Sequence, residues 1–570
     1  MQMTGAKILL ECLLEQDVDT IFGYPGGSIL NVYDELYHYA DRIRHILTSH
    51  EQGAGHAADG YARSTGKVGV CLATSGPGAT NLTTAIATAL LDSSPVVFIS
   101  CNVPESLIGK DSFQEVDMTG ISMPITKCNF QVNRADRLAD TVREAFAIAR
   151  SGRPGPVFID ILKNATQEKA EYTPLPRKEH FAYGSLATLI HRASHDFQAS
   201  EPDADDLDKL VGMIRVARRP MLICGGGVVL SRAQEEFEKF AVKLDAPSAF
   251  TVMGCGGIRS RHPLATGLVG MHGTRASNMA VANCDLLIAV GCRFSDRVAL
   301  APNSFAKQAK IVQIDIDRAE IDKNVPTAHH IIGDAHRVLE LMNAKVRQCS
   351  HRKWKQFVFS FPVETQYEKS SGATLNPKLI CDCIAGIAPR DSIISTDVGQ
   401  HQMWCVQNLK FDYPGQLLTS GGFGTMGFGL GAAIGAKIGN PDKTVIHVTG
   451  DGSFRMNCNE LATEEFYHLP IVTIIFNNTA LGMVRQWQRL TLNGRYSQTT
   501  LAGRTPDFVK LAGAYGLEGE RVGTVAQLER ALRKALACGH GYVIDCAISI
   551  DEMVRPMVQD GCPIDDFLLD

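Results

Sequence analysis

The chain has 570 residues, 45% of them hydrophobic and 21% charged, with a formal net charge of −5. That length exceeds what one hydrophobic core accommodates, so about three to four domains are expected. The charge forms no basic stripe, which argues against nucleic acid or an anionic membrane as partner. The opening stretch, "MQMTGAKILLECLLEQDVDTIFGYPGG", has the apolar spacing of an amphipathic helix almost from its start. A helix there leaves no room for a secretory or transit sequence, and no apolar run approaches the roughly 20 residues that span a bilayer. A cytoplasmic protein is expected. The sixteen cysteines lie scattered in apolar runs with no CxxC, the nearest pair being Cys381 and Cys383, which predicts reduced and buried thiols.

Short apolar runs ending in Gly, Ser or Asp then alternate with helical patterns. "VGVCLATSGPG", "PVVFIS" and "PVFIDI" come first, "PMLICGGG", "DLLIAVG" and "KIVQIDID" next, and "TVIHVTGDG" and "IVTIIFNN" last. Continuous hydrophobicity predicts strands covered on both faces, and the interleaved helices predict parallel, doubly wound α/β sheets. Two polar, mixed segments break the pattern, near 171–208 and 349–371. The first has some helical periodicity around "SLATLIHRASHDF" and reads as a partly structured linker, and the second is similar. Three α/β domains are expected, near 1–170, 205–345 and 370–570.

The segment "TVIHVTGDGSFRMNCNELATEEFYHLPIVTIIFNN" reads as a strand ending at Gly450-Asp451-Gly452, a helix through "NELATEEFYHL", and a strand ending at Asn477-Asn478. A right-handed βαβ unit finishes both strands on one sheet edge, so Asp451 and Asn478 meet where open α/β sheets bind ligands. One carboxylate and one amide oxygen form a hard, incomplete donor set that suits Mg²⁺ completed by phosphate oxygens. A turn and a polar strand end are each common alone; their combination at this spacing is not. Far upstream, "LTSHEQGAGHAADGYARSTG" places Glu51 at the head of a Gly- and Ala-rich segment that looks buried. A carboxylate there is costly unless something pairs with it or uses its proton. Stabilisation of a helix N-terminus after Ser49 is the plainer alternative.

The GDG and NN pair resembles the diphosphate-binding motif of thiamine diphosphate enzymes. Over nearly the whole chain the sequence resembles the catalytic large subunit of the acetohydroxyacid (acetolactate) synthase family. The segments that carry this likeness include "GYPGGSILNVYDEL", "SGPGATNLTTAIATALLDSSP", "GKDSFQEVDMTGISMPITK", "GLVGMHGT", "GCRFSDRV", "TDVGQHQMW", "GGFGTMGFGLGAAIGAK" and "LGMVRQW". The resemblance implies a pyrimidine-binding first domain, an FAD-binding middle domain and a diphosphate-binding third domain. It implies Mg²⁺ on Asp451, Asn478 and the carbonyl of Ala480. It implies thiamine diphosphate contacts at Tyr24, Glu51, Asn81, Gln400, His401, Gly424, Met426, Gly452, Ser453, Gly482 and Met483. Glu51 would hydrogen-bond the pyrimidine and promote the tautomer that removes the thiazolium proton. Gln114 and Lys127 would act at or near the reaction centre.

The same likeness implies pyruvate as donor, and pyruvate or 2-ketobutyrate as acceptor, in branched-chain amino-acid synthesis. Phe113, Met271, Arg297 and Trp487 would contact these 2-keto acids, Arg297 through the carboxylate and Trp487 as a wall favouring the larger acceptor. Arg153, Gly225, Gly226, His272, Gly273, Arg293, Asp315, Ile316 and Asp334 would meet FAD, whose role here would be structural. Ser295 departs from the family pattern, where aspartate is common. A homodimer or dimer of dimers with interfacial active sites is implied, and a small regulatory subunit is a possible partner. Pyruvate oxidase and sulfoacetaldehyde acetyltransferase are rivals disfavoured by "GMHG", "RFSDR" and "MVRQW". Glyoxylate carboligase lacks the glutamate, FAD-free acetolactate synthases lack the middle-domain pattern, and a non-catalytic relative would have lost Glu51, Asp451 or Asn478.

Overall fold

A computed structural model describes residues 1–175, 201–362 and 375–568. The helical periodicity expected around "SLATLIHRASHDF" lies outside the described residues. The expected strands form, and all pair in parallel within three six-stranded sheets. Every residue of Gly69–Thr74, Val96–Asn102, Val157–Leu162 and Ile471–Asn477 is buried, as the unbroken apolar runs require.

Strand order differs between the sheets in a way that matters for ligands. Counting strands along the chain, the N-terminal sheet runs 2-1-3-4-6-5, and so does the C-terminal one. The middle sheet runs 3-2-1-4-5-6, the order of a dinucleotide-binding fold. In each sheet the order reverses beside the first strand, and ligands bind in the crevice opened there at the carboxyl ends. An antiparallel pair, Gln2–Thr4 with Lys169–Glu171, closes the N-terminal unit, and Thr4 caps the helix Gly5–Glu15.

The N- and C-terminal units share a core through two helices, Glu51–Thr65 and Phe428–Gly439. Their small residues let the backbones touch. A Cβ on Gly435 would lie 1.8 Å from the carbonyl oxygen of Ala57, and one on Gly60 would lie 2.2 Å from that of Ala432. The Gly and Ala run after Glu51 is thus explained by helix packing within the chain. The segment near 349–371, read as a linker, contains the helix Arg352–Val358, which buries Trp354 and Val358 against the middle unit. The Trp354 indole donates to the Pro220 carbonyl at 2.8 Å. Trp354, Phe357 and Val358 have the i, i+3, i+4 spacing of a helical face, but seven residues are too short a window for a periodic signal. All sixteen cysteines are free thiols, none of them fully exposed. Among the described residues no helix is long and apolar enough to cross a membrane.

Candidate active site

The crevice of the C-terminal sheet opens between Ile393–Thr396 and Val445–Gly450. Gln400 and His401 begin the helix after the first of these strands, and Asp451 begins the helix after the second. That second helix therefore starts earlier than the sequence pattern predicts and breaks at residues 458–460, a 3₁₀ turn, before resuming at Leu461–Phe466. Gly450 lies opposite Phe476 on the next strand, so Asp451 and Asn478 leave the sheet side by side.

Asp451 is 1% exposed, and its Oδ2 has no hydrogen-bond partner among the described residues. Burial pushes its carboxyl up to about 7, against the pull of the Asp451 and Gly452 backbone N–H groups. Such an oxygen is costly unless a cation completes it. Asn478 donates from Nδ2 to Gln400 Oε1 at 3.1 Å, and its Oδ1 accepts the Ala480 N–H at 3.2 Å. Gln400 Nε2 in turn donates to Gln486 Oε1 at 2.9 Å and to the Glu552 carbonyl at 3.0 Å. The turn carrying Ala480 is pinned on both sides: Leu481 N–H donates to the Thr499 carbonyl and Leu501 N–H to that of Thr479, both at 2.8 Å. Among the described residues no three or more His, Cys, Asp or Glu side chains gather as a metal site. A cation here would rest on one carboxylate and neutral oxygens, the donor set of a hard divalent ion shared with phosphate.

The remaining expected contacts surround this point. A Cβ on Gly482 would lie 2.0 Å from Gln400 Oε1, and one on Gly452 would lie 2.6 Å from Leu481 Cδ2. Ser453 Oγ accepts the Gly427 N–H at 3.0 Å, which ties the strand end to the Gly424–Gly427 turn around half-buried Met426. Gly424 takes φ +77°, a left-handed conformation that favours glycine. Burial holds the His401 imidazole down to about 4, and its Nε2 has no partner among the described residues. Asp397 escaped the sequence reading. Its buried carboxylate accepts the Gly429 N–H and the Thr449 hydroxyl, both at 2.6 Å, so it ties two strand ends to the head of the Phe428–Gly439 helix.

In the N-terminal unit Glu51 is the first residue of its helix, and His50 caps that helix. The carboxylate is 9% exposed and accepts from Asn81 Nδ2 at 2.9 Å. Tyr24 and the Thr74–Asn81 turn flank the crevice of this sheet. Gln114 has φ +61°, and its backbone packs against Gly76, while neighbouring Phe113 stands 87% exposed. Within the chain no hydrogen bond joins Glu51 to Asp451, Asn478 or Gln400 among the described residues. Lys127 is placed at a helix end, where its Nζ donates to the Ile148 and Ser151 carbonyls at 2.5 and 2.6 Å. Burial lowers its ammonium to about 8. This closes the helix Ala135–Arg150, a structural task that the sequence reading, which put Lys127 near the reaction centre, did not foresee.

A cavity of about 830 Å³ runs between the three units. Its walls gather Arg153, Gly226, His272, Arg293, Asp315, Ile316 and Asp334 with Met271, Arg297, Gly424, Met483 and Trp487. Gly225, at the end of the first middle strand, packs on Gly291, where a Cβ would meet the carbonyl oxygen at 2.1 Å. Gly273 abuts Asn278. Arg153 bridges the units by donating to Ser93 Oγ and Glu320 Oε1, both at 2.8 Å. Burial raises Asp315 to about 6 and lowers His272 to about 4, and His272 Nδ1 has no partner among the described residues. The volume and the reversal of strand order suit a dinucleotide.

Comparison with known families matches residues 3–121 to the thiamine pyrophosphate enzyme N-terminal TPP binding domain, 207–342 to the central domain and 397–546 to the C-terminal TPP binding domain. The probable acetolactate synthase large subunit of Methanocaldococcus jannaschii is 44% identical over 571 residues, covering 98% of this chain and 94% of that protein. The acetolactate synthase large subunit of Cyanidium caldarium is 42% identical over 575 residues, 98% of this chain and 95% of the other. The acetolactate synthase isozyme 2 large subunit of Escherichia coli is 41% identical over 568 residues, 99% of both chains. This chain belongs to the acetolactate synthase large-subunit family. It is a thiamine diphosphate enzyme of three α/β units, and the Asp451–Asn478 crevice lies in its C-terminal TPP-binding unit. Gln486, one position before Trp487, is a further site residue that the sequence reading passed over. An amide inside an amphipathic helix gives no local sign of what it bonds.

Proposed function

We propose that the chain decarboxylates pyruvate and transfers the two-carbon unit to a second 2-keto acid. Pyruvate as acceptor gives 2-acetolactate, and 2-ketobutyrate gives 2-aceto-2-hydroxybutyrate, in branched-chain amino-acid synthesis. The observation that carries this reading is the buried, unpartnered Asp451 oxygen beside Asn478 at the crevice of the C-terminal TPP-binding unit. Thiamine diphosphate, when bound, would supply the nucleophilic carbon and accept the electron pair released with carbon dioxide. Glu51, steadied by Asn81, would hold and exchange a proton at the pyrimidine ring. Asp451 Oδ2, Asn478 Oδ1 and the Ala480 carbonyl would hold Mg²⁺, with His401 and Gln400 beside the diphosphate. Arg297, its side chain 60% exposed, loosely paired with Asp296 at 3.6 Å and donating to Met271 Sδ at 3.7 Å, would meet an acceptor carboxylate next to the wall formed by Trp487.

FAD in the central cavity is supported by the strand order of the middle sheet and by the unpartnered His272 Nδ1. Forming a carbon–carbon bond transfers no net electrons, so FAD would act as structure. A homodimer is supported by exposed Phe113 and Tyr24 and by the separate surroundings of Glu51 and Asp451. Glu51, Phe113 and Gln114 of one chain would then complete the crevice of another. The relatives' designation as large subunits supports a smaller partner subunit. We take the units as 1–170, 205–345 and 370–570, in a cytoplasmic enzyme. Supplying pyruvate and 2-ketobutyrate together, with thiamine diphosphate, Mg²⁺ and FAD, and separating the products should give both hydroxy-keto acids. Acetate or acetaldehyde as the sole product would refute the reading. Sedimentation should find no active monomer.

A further inference from the structure

Three side-chain amides run in series from the cation donor Asn478 to the C-terminal strap of the chain. Asn478 Nδ2 donates to Gln400 Oε1 at 3.1 Å, and Gln400 Nε2 donates to Gln486 Oε1 at 2.9 Å. Gln486 Nε2 donates to the Val554 carbonyl at 3.0 Å, while the Val554 N–H donates back to Gln486 Oε1 at 2.9 Å. All three side chains are buried, at 3 to 5% exposure.

A side-chain amide is nearly symmetrical in shape, and either end fits the same space. A backbone N–H and C=O have no such choice. Val554 presents one of each to Gln486, so the direction of the Gln486 amide is dictated by the main chain. Its Oε1 then faces Gln400, which forces Gln400 to present Nε2 there, and the Glu552 carbonyl demands the same at 3.0 Å. Gln400 is left with Oε1 toward Asn478, and Asn478 must answer with Nδ2. The oxygen of Asn478 is thereby turned away from the relay and kept as a donor atom for the cation. Gly482 covers the joint between Gln400 and Asn478, where a Cβ would come within 2.0 Å of one amide and 2.6 Å of the other.

We propose that Gln486 is a positioning residue which, anchored by the backbone of Val554, sets through Gln400 which atom of Asn478 faces the cation. This rests on the reading of Asp451 and Asn478 as Mg²⁺ ligands. The relay also joins the cation site to the segment around residues 552–558, so binding of the ion should steady that segment.

The test compares two variants with the parent by calorimetry of thiamine diphosphate uptake as a function of Mg²⁺, which needs no turnover. Gln486→Met keeps the volume but removes every hydrogen bond. Gln486→Glu keeps an acceptor for Gln400 and for the Val554 N–H. Losing the relay should weaken Mg²⁺ about tenfold in Gln486→Met, and Gln486→Glu should stay within about threefold of the parent. Hydrogen exchange of residues 549–558 should slow on adding Mg²⁺ and thiamine diphosphate in the parent and in Gln486→Glu, but not in Gln486→Met. A residue that merely fills space would give the opposite order, with methionine tolerated and glutamate not, and that result overturns the proposal. So does parental Mg²⁺ affinity in Gln486→Met. A parent that takes up no thiamine diphosphate overturns the underlying site reading itself, which uptake without any Mg²⁺ dependence would limit to the metal ligands.

Discussion

At Glu51 a buried carboxylate meets the Asn81 amide and a glycine-lined edge at Gly78. That arrangement orients the group and leaves it room to meet a ring. Glu51→Gln keeps the shape and the bond to Asn81 in one of its two orientations, but cannot exchange a proton. Turnover should fall by roughly a hundredfold or more, the scale of acid–base catalysis, while thiamine diphosphate uptake and the unfolding midpoint stay near parental values. Steady-state rates beside calorimetry check this, and near-normal turnover would remove Glu51 from the chemistry. Residue type at this position was informative in the sequence because an acid heading a run of glycines and alanines is costly. For Lys127 it was not: a lysine in "PITK" has no local feature that distinguishes a solvated group, a substrate contact or the helix-closing ammonium found here.

Among the elements, the contact between Glu51–Thr65 and Phe428–Gly439 depends on missing side chains. The Gly435 Cβ position lies 1.8 Å from a backbone oxygen that cannot rotate away. Gly435→Ala should therefore cost about 1–3 kcal/mol or more by overpacking, despite the helix propensity it gains. Denaturant unfolding measures it, and an unchanged midpoint would mean the helices separate freely. A second element-level feature is Asp397. Burial alone would raise its carboxyl, but the His447 imidazole 3.5 Å away and hydrogen bonds from the Thr449 hydroxyl and the Gly429 N–H outweigh that and hold it down to about 2. The folded value lies below the unfolded one, near 4. Its stabilisation is thus complete above about pH 4 and is lost as the pH falls toward 2, to a total of roughly 2 kcal/mol. In Asp397→Asn the stability should be lower at pH 7 and should fall less steeply between pH 4 and 2 than in the parent. Equal slopes would argue that the carboxylate is not stabilised in the fold. The strands themselves were legible, since burial on both faces writes unbroken apolar runs. The glycines of the helix pair were not, because the partner that requires them lies almost four hundred residues away.

For the whole molecule the central cavity is the point where all three units meet. Arg153 crosses it from the N-terminal unit to Glu320 of the middle one. The Arg63 guanidinium, buried with Asp59 and Asp92, donates to the Thr419 carbonyl of the C-terminal unit at 2.8 Å. A ligand that fills this space binds only the assembled chain, so it should stabilise that state by mass action. At FAD a hundredfold above its Kd the gain would be about 2.7 kcal/mol, and the unfolding temperature should climb with FAD concentration. Thermal scans of protein stripped of flavin and then titrated with FAD test this. No shift at saturating flavin would assign the cavity to another ligand.

By itself the sequence determined the class of fold and its three parallel sheets, and it pointed to the GDG and NN strand ends. Those properties depend on residues close together in the chain: apolar continuity, glycine at a strand end, an acid beside it. Only the tertiary structure decided that the middle sheet alone has the dinucleotide strand order, that Gln486 stands behind Asn478, and why Glu51 is followed by small residues. Strand order, the direction of an amide and the closeness of two helices depend on groups remote in sequence, and no local pattern encodes a partner that folding alone brings near.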